Sequence, residues 1–174
     1  MRNNMKKLTF IFALVAIAFT SCDDGSKNLA EEHDRLMRDN DSIQKVHSEL
    51  QSNLQALRSE HQSLSQELST RAIEDSTWLE DLAQHEVLLK KHEGMLAGHE
   101  EMIKGHNELR SNFNGLSNDE KRAQLDEMKN VHDQIEDDHS TIRSEQETMM
   151  DEHENIRENW RDEETTTTQT TTTQ

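Results

Sequence analysis

The chain has no proline, no tyrosine, one cysteine, five glycines and few aromatic residues. Each scarcity removes a class of molecule. Without proline, nothing forces a long helix to break, and without aromatics the bulky fillers of an ordinary enzyme core are missing. A single cysteine forbids an internal disulfide. Basic residues are in deficit too: 19 Lys and Arg stand against 36 Asp and Glu, a net charge of −17 that repels nucleic acid and anionic lipid head groups. No glycine-rich phosphate loop, activated nucleophile or zinc ligand set of known spacing occurs, so the sequence predicts no enzymatic activity.

What is present is a seven-residue recurrence, the signature of a helix that keeps one face toward a partner. His85, His92, His99 and His106 open four successive sevens. With histidine at position a, position d holds Leu88, Met95, Met102 and Leu109, and Leu89, Leu96 and Ile103 follow them, so histidine stands where a core residue belongs. Upstream, Leu29, Leu36, Ile43, Leu50, Leu57 and Leu64 recur every seven, accompanied by His33, Asn40, His47, Leu54, His61 and Leu68. Downstream, Leu125, His132, His139, Gln146, His153 and Trp160 alternate with Met128, Ile135, Ile142, Met149 and Ile156.

Two breaks divide the repeats. Leu68 and His85 are out of phase, and Thr77 with Glu80 has capping-box spacing, which predicts a turn near residues 73 to 77. Asn114-Gly115 predicts a left-handed helix stop, and Ser117 with Glu120 a second capping box. The predicted helices are residues 29–73, 77–113 and 118–162, forming a helical coiled-coil domain over 29–162. Gly94, Gly98 and Gly105 lie inside the second, each costing about 1 kcal/mol relative to alanine. The matched lengths predict an all-α fold, an elongated antiparallel three-helix coiled-coil bundle. The alternative is a long helical stalk plus a helical hairpin. Folding about the turn between Gly115 and Leu116 would set His99 against His132 and His92 against His139, whereas the usual packing of a against d would set histidines opposite Ile and Met. Residues 163–174, ending in TTTTQTTTTQ, carry nothing to bury and are expected to be disordered.

All ten histidines share one heptad position within the three registers, a coincidence of roughly one in 10⁶ for unpatterned placement. Three readings account for it. As half-polar layer residues, histidines would restrict register. As metal ligands, His92, Met95, His99, Met102, His106, Met128, His132, His139, Met149 and His153 combine imidazole and thioether one turn apart, a donor set suited to soft Cu(I). The spacing resembles that of periplasmic silver and copper sequestering proteins. Zn²⁺ is the alternative ion for such ligands, and otherwise no cofactor is expected. As buried bases, the histidines would make stability depend on pH.

The first residues add an address. Arg2, Lys6 and Lys7 precede an apolar run, Leu8 to Phe19, too short to span a bilayer permanently, and Thr20, Ser21 and Cys22 follow. This segment resembles the lipobox of bacterial lipoproteins cut by the type II signal peptidase, with Phe19 where the family usually has leucine. The resemblance implies a signal peptide over residues 1–21, an acylated Cys22 heading a tether over 22–28, and residence in the cell envelope, at the outer membrane. Removal of residues 1–21 would leave 16 basic residues against 36 acidic ones, a net −20. The expected partners are the membrane through the lipid, other proteins or further copies of the chain, and divalent or soft metal cations, but no nucleic acid. The expected role is structural or protein-interacting, with metal sequestration as the alternative. Asp41-Ser42-Ile43 and Asp75-Ser76-Thr77 resemble a short O-glycosylation sequon of envelope proteins, which implies sugars on Ser42 and Ser76.

Overall fold

The computed structural model describes the backbone of residues 23–70 and 76–171 and the side chains of residues 25–70 and 77–160. Among them lie three α-helices, α1 (Asp23–Thr70), α2 (Ser76–Arg110) and α3 (Asn118–Thr171), with a 3₁₀ turn at Phe113–Gly115. The fold is all-α, and α1 packs against both other helices, so the chain forms the antiparallel three-helix bundle rather than the stalk. The lipobox-like segment with Cys22, and residues 71–75, where most of the turn expected near residues 73 to 77 would fall, lie outside the described residues.

Helix ends differ from expectation in several places. The helix α1 begins at Asp23, so the predicted tether is helical from that residue, and α3 continues to Thr171, into the Thr/Gln segment expected to be disordered. A helix already nucleated by packing extends at the cost of one residue and the gain of one hydrogen bond at a time. Because α2 opens at Ser76, Thr77 falls inside its first turn rather than at a cap. The second capping box forms: the Ser117 backbone N–H donates to the Glu120 carboxylate at 2.9 Å, and the Glu120 N–H donates back to Ser117 Oγ at 3.4 Å. Hydrogen bonds from Ser117 hold the Glu120 carboxyl below its usual value. Between α2 and α3 the chain stops the helix with 3₁₀ bonds, from Gly115 N–H to Asn112 and from Leu116 N–H to Phe113, and then extends at Leu116. Gly115 is therefore not the left-handed stop its sequence suggests. Phe113 is buried there and stacks on His33 at 3.9 Å, closing that end of the core.

The core is a column of layers. Apolar ones are Ile43, Ile103 and Ile135; Leu50, Leu96 and Ile142; Leu57, Leu89 and Met149; and Leu64, Leu82 and Ile156. Histidine layers alternate with them. In α2 the buried partners of the histidines are thus Leu82, Leu89, Leu96 and Ile103, while Leu88, Met95 and Met102 are half-buried on the flank and Leu109 is exposed. This corrects the expected seam of α2: its histidines occupy d, and the leucines four residues from them occupy a. The stripe of α2 is three positions wide, and only two can face the centre of a three-helix core.

Gly94, Gly98 and Gly105 have nothing within 4 Å of where a Cβ would stand. Changing any one to alanine should therefore stabilise the bundle by about 1 kcal/mol. By contrast, Ile135→Ala, in the centre of an all-isoleucine layer, should cost about 2–5 kcal/mol. Urea unfolding followed by helical circular dichroism measures both.

Candidate functional site

The chemistry-bearing side chains of this protein are its buried histidines. Reversal of α2 relative to α1 and α3 brings its d positions level with the a positions of its neighbours. Because histidine occupies a in α1 and α3 and d in α2, histidine meets histidine. His47, His99 and His139 share one layer, with ring centroids 5.1 to 6.4 Å apart. His61, His85 and His153 share another at 4.9 to 6.4 Å. In each triad one nitrogen from each of the three rings lies within 4.8 Å of the other two.

The pairings expected from the sequence are displaced by one heptad. His99 faces His139 rather than His132, and His106 meets His132, with His106 Nδ1 3.1 Å from His132 Nε2. The connection explains the displacement, since the 3₁₀ turn and the extended Leu116 carry the chain onward along the axis before α3 begins. His92 has no histidine partner from α3. Its layer holds Leu54 and Gln146, and Gln146 donates through Nε2 to the Leu50 carbonyl at 3.3 Å. Nor do His106 and His132 form a triad, because α1 contributes Asn40 near this level, bonded to Asn107 of α2 at 3.3 Å.

The methionines fall elsewhere. Met149 belongs to the apolar cluster around Leu50 and Leu57, Met128 to the one around Phe113, and Met95 and Met102 lie against apolar clusters from the flank. Of the ten sequence candidates, His99 and His139 are brought together, and so are His106 and His132. His153 joins His61 and His85, which are not among those ten, and neither is His47. The signal that would have found them is the switch from a to d in the reversed helix. Ser42 is exposed on α1, whereas Ser76 opens α2 with its side chain outside the described set.

An outer ring of carboxylates orients the α2 histidines. Nε2 of His85, His92 and His99 donates to Glu152 at 2.6 Å, Glu145 at 2.5 Å and Asp138 at 3.0 Å. These acids each stand one residue before the α3 layer residue, so the same contact recurs at heptad intervals. Burial pushes the Glu145 carboxyl up, but bonds from His92 and Lys91 outweigh it and the group lies below its usual value. With Nε2–H committed to a carboxylate, the Nδ1 lone pair is left for the interior.

Burial, reinforced by neighbouring imidazoles, pushes His106, His139 and His153 down to about 4, against nearby Asp138 for His139 and Glu60 for His153. Burial also lowers His33, His47, His61 and His132. Several ring nitrogens have no partner: both of His47, Nδ1 of His61, His92, His99, His132 and His153, and Nε2 of His33 and His139. A native core leaves few such groups. Two shallow hollows are lined by charged and amide side chains, one at Asn28 to Arg38 and one between α1 and α2 that reaches His47.

These bases bind protons more readily in the unfolded chain, near 6.5, than in the fold. Their contribution to stability is complete above about pH 6.5 and is lost as pH falls from there toward 4. A tenfold difference in proton affinity between fold and unfolded chain is worth about 1.4 kcal/mol, more than a surface ion pair, so the thermal midpoint of the chelator-treated protein should fall steeply across this range. His106→Leu should make that fall shallower. No protein-family model, curated protein or solved structure matches this chain.

Proposed function

We propose that the protein is a lipid-anchored helical rod of the cell envelope, acting as a spacer or protein-interaction module without catalytic activity. The observation that carries this reading is the unbroken column of alternating layers from His33 and Phe113 to Leu64, Leu82 and Ile156. Forty residues of α1, Leu29 to Leu68, belong to that column and span about 60 Å. A core one side chain thick commits all three helices to one another and leaves the outer faces to charge.

Ion pairs tie the helices at the rim: Arg58 with Glu93 at 2.9 Å, Lys91 with Glu145 at 3.0 Å and Arg157 with Glu60 at 3.0 Å. Exposed pairs of this kind add little stability, and they serve register more than strength. The excess of acid left over suits basic protein faces or cations. At the N-terminal end of the rod, an acylated Cys22, left at the head of the chain when the lipobox-like residues before it are cut away, supplies the anchor, and α1 starts directly after it at Asp23. Among the described residues no helix is long and apolar enough to cross a membrane.

Labelling of the full chain with a palmitate analogue in an exporting bacterium should mark the protein, and Cys22→Ala should abolish both the mark and sedimentation with membranes. An unlabelled parent chain would sink the anchor. In detergent, a monomer mass fits the single-chain bundle, whereas an obligate dimer or trimer would count against a self-contained rod.

A further inference from the structure

We propose that the triads His47–His99–His139 and His61–His85–His153 are a pair of metal sites, each taking one divalent transition-metal ion of the zinc class through three imidazole nitrogens. The ligand atoms of each triad already lie within 4.8 Å of one another. Around zinc, nitrogens at about 2.0–2.1 Å in tetrahedral array are roughly 3.3 Å apart. His85 Nδ1 and His153 Nε2 stand at 3.1 Å, so two corners are in place, and the ligand nitrogen of His61 lies within 4.8 Å of both partner rings' ligand atoms.

Three further observations point to the same occupant. The first is the set of orphaned nitrogens. His47, almost wholly buried, has no partner at either ring nitrogen, and His99 Nδ1, His139 Nε2 and His61 Nδ1 are equally unsatisfied, while in the second triad His85 Nδ1 and His153 Nε2 face each other. An ion at the centre of each triad would engage one lone pair from each of its three rings. The second is the outer carboxylate: Asp138 on His99 Nε2 and Glu152 on His85 Nε2 select the tautomer that leaves Nδ1 free, as metal-bound imidazoles generally require. The third is repetition. Interplanar angles are 63°, 34° and 70° in one triad and 61°, 32° and 65° in the corresponding pairs of the other, so the same arrangement is built twice, about 21 Å apart.

The donor set chooses the metal. With methionines confined to apolar layers and the flank, no triad contains a thioether, and three imidazoles suit Zn²⁺, Co²⁺, Ni²⁺ or Cu²⁺ more than the His/Met set suggested by the spacing. Water would complete the coordination at the fourth position. The groove lined by Gln44, Ser48, Gln51, Glu100 and Lys104 reaches His47 and supplies a route to the first triad. The net negative charge of the chain as a whole attracts cations.

The full chain, purified in detergent and stripped with chelator, should bind two equivalents of Zn²⁺ by competition titration. Co²⁺ should give two equivalents of the intense d–d bands of a four-coordinate ion. His139→Leu and His153→Leu should each remove one equivalent and together remove both, with helicity retained because leucine is at home in the seam. His47→Leu and His61→Leu should give the same counts from α1, independently of any disturbance to α3. His92→Leu should leave two, since its layer holds no triad. Fewer than two equivalents in the parent, uptake indifferent to the triad variants, or equal loss on His92→Leu would overturn the proposal.

Discussion

Antiparallel register is the constraint on which the rest of this molecule depends. Two helices running together place a level with a, while a third running against them places its d at that height. A sequence that writes histidine at a in α1 and α3 and at d in α2 therefore stacks imidazole on imidazole and aliphatic on aliphatic, layer after layer. Had α2 carried its histidines at a, each would have met Ile or Met, and buried nitrogens would have faced hydrocarbon throughout. Polar groups mostly share layers with one another, the layer of Leu54, His92 and Gln146 being mixed, and the layers between them are apolar.

That separation determines what each layer contributes. Layers such as Ile43–Ile103–Ile135 supply the hydrophobic gain, at about 25 cal/mol per Å² buried. The histidine layers add less and restrict more, because a slip by one heptad would trade the His99–His139 pairing for one with His132 or Gln146. Register is thus enforced by groups that cost stability when unpaired, the usual role of polar residues in a coiled-coil seam. The unpaired nitrogens are the residue of that arrangement, since the rings of each triad approach one another without satisfying every nitrogen.

The proposed roles as a rod and as a metal site are not in competition. An ion held by three imidazoles in each proposed site would staple α1, α2 and α3 at two heights and reinforce the register that the imidazoles already select. Protons act on the same lone pairs in the opposite sense. Acid converts the nitrogens from candidate ligands into buried cations, and three of the lowered groups face other imidazoles that resist a second charge.

The heptads alone determined the helical class, the number of helices, their approximate extents and the Ser117–Glu120 cap, because periodicity and capping are local properties of a chain. They also marked histidine as a seam residue in every helix. Which face of α2 points inward was not decided locally: Leu88 and Leu89 are equally apolar, and only reversal of α2 between two parallel neighbours buries Leu89 and leaves Leu88 at the flank. The offset of α3 depended on the conformation of Phe113 to Leu116, where 3₁₀ bonds and an extended residue moved the pairing by one heptad. Hence His47, His61 and His85 emerged as members of triads, and His92 did not, only when three separate registers were set against each other in space.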